Sequence, residues 1–118
     1  TFTATTKNFE IDHPVKKGYK LVHACLEGPE AAVFYRGEAQ LKDGKVVIKL
    51  PDYFESLTRK ENRTVLLTSI GEKPCLLSAS EVKDGKVTVY GMEPNAKFYW
   101  EVKAVRKDIG PLEVEKKL

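Results

Sequence analysis

Cysteine is scarce in this sequence, and its two copies, Cys25 and Cys75, stand alone. Neither belongs to a C-x-x-C pair, which excludes a zinc ribbon, a thioredoxin-type redox pair and a disulfide-dense scaffold. Both lie within apolar, strand-like stretches, which predicts buried free thiols. A single Cys25–Cys75 bond stays open, since it would suit a protein acting outside a cell. No apolar run approaches the roughly 18 residues needed to cross a bilayer, and no signal-peptide h-region is present, so no membrane partner is expected. Phosphate loops, dinucleotide fingerprints and kinase motifs are also missing. So is any block of like charge. The 20 basic and 17 acidic residues are interspersed, and Lys16-Lys17, Arg59-Lys60, Arg106-Lys107 and Lys116-Lys117 are the only basic pairs. A nucleic-acid partner, which needs a basic stripe, is therefore not expected.

What remains is enough for one domain. The 118 residues, 42% of them hydrophobic, suit a single core, although a chain of this size buries only about two-thirds of its unfolded surface and would gain from association. The dominant hydrophobic period is two. Phe9 and Ile11 alternate with Asn8, Glu10 and Asp12, which predicts a half-buried strand stopped by His13-Pro14. Further strands are predicted over Tyr19–Leu26, Ala31–Gln40, Thr64–Ile70, Pro74–Glu81, Lys97–Arg106 and, after Pro111, Leu112–Glu115. Asp43-Gly44 and Asp84-Gly85, each inside a K-D-G-K sequence, predict type I′ hairpin turns before Val46-Val47-Ile48 and Val87-Thr88-Val89. The flanks of the two turns match poorly, so they read as convergence on a good turn rather than a duplication. The one helix candidate is Pro51–Leu57, where Tyr53, Phe54 and Leu57 share a face. At two turns or fewer it must rely on packing, and it is expected to plug one end of the fold. The fold class is therefore all-β: an antiparallel sandwich or barrel of about eight strands with one short helix.

Few residues offer chemistry. His23, Cys25 and Glu27 fall at period two and would share a strand face, where they could centre a metal- or thiol-dependent enzyme module; His13 or Cys75 would supply a further ligand. No oxyanion-hole loop or glycine elbow accompanies the trio, and no cofactor is implied. Ser78 or Ser80 with Lys83 is a poorer pair, because Lys83 belongs to a solvated turn. The aromatics are richer. Tyr35, Tyr99 and Trp100 are the candidate binding residues, able to stack on sugar rings, and the adjacent Tyr99 and Trp100 must split between the two faces of their strand.

The stretches Lys7–Pro14 (K-N-F-E-I-D-H-P) and Leu21–Ala31 (L-V-H-A-C-L-E-G-P-E-A) resemble the K-x-F-x-I-x-H-P and L-V-H-x-x-L-E-G-P-E-A signatures of a β domain found in viral fibre proteins, phage tail-fibre-like and giant-virus, and in related bacterial proteins. Tyr35-Arg36-Gly37, Leu50–Phe54 and Phe98–Val102 continue the likeness along nearly the whole chain. The resemblance implies the C-terminal part of a longer fibre-like protein on a virion or extracellular surface. It implies a structural, homotrimeric fibre-end domain that holds three chains in register and contacts a host receptor or glycan. It carries no catalytic residues: the Ser–Lys chemistry of a neighbouring self-cleaving chaperone has no counterpart here.

Overall fold

The computed structural model describes residues 8–118 and contains eight strands and one helical turn. β1 (Asn8–Asp12) and β2 (Lys20–Ala24) pair only with each other, in register from Asn8–Ala24 to Asp12–Lys20. β3 (Ala32–Gln40), β8 (Lys97–Val105) and β5 (Thr64–Ser69) make one antiparallel sheet in the order β3-β8-β5. β4 (Lys45–Lys49), β7 (Lys86–Gly91) and β6 (Leu77–Ala79) make another in the order β4-β7-β6. The single turn α1 spans Phe54–Leu57. The all-β expectation with one short helix holds.

Period-two alternation sends one set of side chains from each sheet into a common core. Val33 and Ala39 of β3, Phe98, Val102 and Ala104 of β8, and Val65 and Leu67 of β5 meet Val46 and Ile48 of β4, Val87 and Val89 of β7 and Leu77 of β6. Large faces small across the β3–β8 ladder: Phe98 opposes Ala39, Trp100 opposes Gly37, and Ala104 opposes Val33. Gly37 lets the indole of Trp100 lie close: a Cβ there would sit 3.1 Å from the ring, which would have to give by a few tenths of an ångström.

Both D-G turns form with positive φ at each central residue: 53° and 82° at Asp43-Gly44, 54° and 71° at Asp84-Gly85. They do not make simple hairpins, however. The first links β3 to β4, strands of different sheets, and only Lys42 and Lys45 pair across it. The second does join β6 to β7, with Glu81 and Val82 opposing Val87 alone, a bulge whose Ser80 hydroxyl accepts from the Thr88 N–H at 2.8 Å. β4 and β7 thus each begin on a D-G turn and run antiparallel, so each turn abuts the far end of the other strand. Gly91 N–H donates to Gly44 O at 3.1 Å, and Leu50 N–H donates to Gly85 O at 2.8 Å.

α1 is one turn and has no side-chain N-cap, so packing holds it: Phe54 and Leu57 are fully buried. Thr58 closes it by donating its hydroxyl to Phe54 O at 2.7 Å. Arg63, with its side chain 5% exposed, forks onto both oxygens of Glu55 at 2.9 Å. Glu55 also accepts the Gly85 N–H at 2.9 Å, and Arg63 donates to Val82 O, so the pair ties α1 and β5 to the second D-G turn. The Arg63 hydrogen bonds hold the Glu55 carboxyl below the usual glutamate range, assisted by the Gly85 amide and against partial desolvation.

Three expectations are corrected. Leu112–Glu115 joins no sheet; after Arg106, whose N–H donates to Ala31 O at 2.8 Å, the chain runs exposed through residues 107–118. Cys25 is exposed rather than buried, because β2 ends at Ala24 and Cys25 falls in the link toward Gly28-Pro29. Cys75 is only half-buried, since β6 starts at Leu77 and leaves it in the preceding loop. Both are free thiols. No helix among the described residues is long and apolar enough to cross a membrane.

Candidate functional site

Two places gather the residues singled out in the sequence, on opposite faces of β3. The inner one closes the end of the sandwich beside α1. His23 Nδ1 lies 2.8 Å from Val22 O, and a carbonyl only accepts, so Nδ1 carries the ring proton. Nε2 is then the lone pair, and it accepts the Tyr35 hydroxyl at 2.8 Å, with the Tyr53 hydroxyl 3.4 Å away. The rings of Tyr35, Tyr53 and Phe54 meet edge to face, and Phe9 tilts against His23 at 5.1 Å. Burial pushes the Tyr35 phenol far above its ordinary value, and the Tyr53 hydroxyl adds to this. Tyr35 is half-buried, with its hydroxyl engaged by His23.

His13 is likewise engaged. Its Nδ1 accepts the backbone N–H groups of Val15 (3.1 Å) and Lys16 (2.8 Å), capping the turn between β1 and β2, and its ring meets Tyr53 edge-on. Cys25 and Glu27 lie beyond β2, so the period-two face proposed for His23, Cys25 and Glu27 ends at His23. Among the described residues no three His, Cys, Asp or Glu side chains gather as a metal ion would require. Ser80 is bonded within its bulge, donating to Glu81 O and accepting from Thr88 N, and Lys83 pairs with Lys86 across the turn.

The outer site is the solvent face of β3-β8-β5. Tyr99 stands at its centre, 55% exposed, with Glu38 opposite on β3 and Thr68 opposite on β5. The next row is Arg36, Glu101 and Leu66, with Leu66 62% exposed. Together with Gly37 and Trp100 these residues line an open groove of about 630 Å³. Trp100 packs on the core side, as the expected split from Tyr99 requires, and the bare Gly37 backbone leaves its indole as part of the groove floor. Glu101 is held by Lys103 at 2.9 Å, whereas Arg36 and Glu38 face the groove without a described side-chain partner.

Tyr99 and Trp100 thus come together at one surface, while Tyr35 lies half-buried on the other face of β3, beside His23 and Tyr53. Arg36, Glu38, Leu66, Thr68 and Glu101 escaped the sequence reading. Their period-two positions mark them as outward-facing, but nothing in a single sequence says that β3 and β5 flank β8. No protein-family model, no curated protein and no solved structure matches this chain.

Proposed function

We propose that this chain is a non-catalytic recognition module whose ligand is a neutral glycan bound across the outer face of β3-β8-β5. One observation carries the reading: an exposed tyrosine ring at the centre of a groove rimmed by Arg36, Glu38, Thr68 and Glu101. A pyranose offers apolar C–H faces for an aromatic ring and hydroxyls that accept hydrogen bonds from a guanidinium and donate them to carboxylates. Rim charges of both signs favour an uncharged sugar over a strongly anionic one. The histidine and tyrosine groups best suited to acid–base work are engaged with one another, which supports a binding role over an enzymatic one.

The signature stretches supply the setting of this proposal: a structural domain of a fibre-like, homotrimeric protein on a virion or extracellular surface, presenting the groove to a host receptor. The test is a glycan array read with the wild-type chain and with Tyr99→Ala. Binding to a defined group of neutral glycans that disappears in Tyr99→Ala supports the reading. No binding, or binding indifferent to Tyr99, overturns it.

A further inference from the structure

Lysines dispersed along the sequence meet on the outer face of β4-β7-β6. β4 and β7 each start from a K-D-G-K turn and run antiparallel, so each turn brings its lysines to opposite ends of the pair. Val46, Ile48, Val87 and Val89 point into the core, which turns Lys45, Lys49 and Lys86 outward. Lys42 opposes Lys45 and Lys83 opposes Lys86 across the turns, so both join the same face.

All five lysines are exposed, and none has an ion-pair partner among the described residues. Lys42 and Lys45, Lys83 and Lys86, and Lys49 and Lys86 stand directly opposite one another. Opposed like charges destabilise a sheet, and a bound polyanion turns that repulsion into attraction. The carboxylates nearby leave the face positive. Asp43 and Asp84 sit at the turn tips and Asp52 lies beyond the end of β4. Glu55 is held by Arg63 and the Gly85 amide, and Glu81 lines the opening toward β5. Between the two lysine groups the outward side chains are neutral: Val47, Thr88 and Tyr90, with Ser78 opposite Tyr90 on β6. Tyr90 is 44% exposed.

We propose that this face binds a linear sulfated polysaccharide laid along β4 and β7. Lys42 and Lys45 donate to sulfate groups at one end, and Lys49, Lys83 and Lys86 do so at the other. Four strand residues, about 13 Å, separate Lys45 from Lys49. Tyr90 offers its ring to a pyranose face beside the first group, and the hydroxyls of Thr88 and Ser78 meet those of the sugar. A second copy of the same face is excluded by like charge. A nucleic acid fits less well, because the face has one exposed aromatic ring for stacking and no arginine to fork onto phosphate. The inference does not rest on the neutral-glycan reading: that groove belongs to the other sheet and shares no residue with this face.

The test is a titration of the full chain with a heparin oligosaccharide, followed by backbone amide NMR at low and at physiological salt. Saturable shifts are expected at Lys42–Lys49 and Lys83–Tyr90, with affinity falling as salt rises. The double variant K45E/K86E should bind at least about tenfold more weakly. It should unfold no earlier than wild type, because each new carboxylate faces a lysine across the ladder. K17E/K116E makes the same change of net charge at exposed positions elsewhere and should stay within about twofold of wild type. Tyr99→Ala should bind the heparin oligosaccharide as wild type does, so failure here and failure of the neutral-glycan reading are separate results. No binding at low salt overturns the proposal. Equal weakening in the two double variants overturns it as well, since net charge alone would then be responsible. So does displacement of the oligosaccharide by single-stranded DNA at equal charge concentration, which would give the face to nucleic acid.

Discussion

A histidine read from sequence invites a catalytic or metal-binding interpretation, and in this chain the deciding fact is where each ring nitrogen points. His13 Nδ1 takes two backbone N–H groups, so His13→Ala leaves both without an acceptor in the turn between β1 and β2. The expected loss is about 1 kcal/mol, concentrated in faster amide exchange at Val15 and Lys16. His13→Asn, which restores a nearby acceptor, should recover part of it. Glu55 is a carboxylate whose titration is coupled to the fold. Its native carboxyl titrates below the usual glutamate range, because Arg63 and the Gly85 amide hold the charged form. The unfolded chain therefore binds the proton more readily. The stabilisation is complete above the ordinary glutamate value of about 4.3 and drains away as pH falls through the lower native one. Glu55→Gln should lower stability at pH 7 by about 2 kcal/mol. It should also flatten the acid limb of a urea-midpoint profile taken between neutral pH and pH 3. An unchanged acid limb would mean that other carboxylates carry it.

At the scale of elements, what could be read from sequence was what depends on local chemistry. Alternation placed the strands, and Asp-Gly fixed two positive-φ turns without any knowledge of partners. Pro51 with the face of Tyr53, Phe54 and Leu57 located α1, which proved to be a single turn. Pairing was not legible. Asp43-Gly44 has the chemistry of a hairpin turn, yet it passes the chain from one sheet to the other, because β3 finds its partner some sixty residues away in β8. The same limit explains Leu112–Glu115, whose strand pattern finds no ladder among the described residues, and the groove around Tyr99, assembled from three strands distant in sequence. Gly85 should be sensitive to substitution. Its φ of 71° disfavours any side chain, and its N–H and C=O are both engaged, by Glu55 and by Leu50. Gly85→Ala is expected to destabilise by about 1–2 kcal/mol in denaturant titration, with Gly85→Asn milder because asparagine tolerates the left-handed region.

The whole molecule is a sandwich carrying an accessory hairpin. β1 and β2 share no ladder with either sheet, and their attachment is made by side chains: Leu21 enters the core, His23 accepts from Tyr35, and the Arg106 guanidinium lies 3.6 Å above the Phe9 ring. Arg106 is itself held by Asp108, with Nε donating to Oδ1 at 2.9 Å. An isolated two-stranded hairpin is marginal in water, so β1 and β2 persist only while these anchors hold. The pair should therefore open as a unit at lower free energy than the sandwich. Arg106→Ala removes the cation over Phe9, worth about 1–2 kcal/mol where the group is largely desolvated. Amide exchange across Phe9–Asp12 and Lys20–His23 should rise roughly five- to thirtyfold in that variant, as such a loss implies. Protection at Val87, Val89, Phe98 and Val102 should stay close to wild type, because those amides belong to ladders that do not involve the hairpin. Equal loss of protection throughout would show that hairpin and sandwich unfold as one cooperative body, with Arg106 acting on the global equilibrium instead of on the docking of β1 and β2.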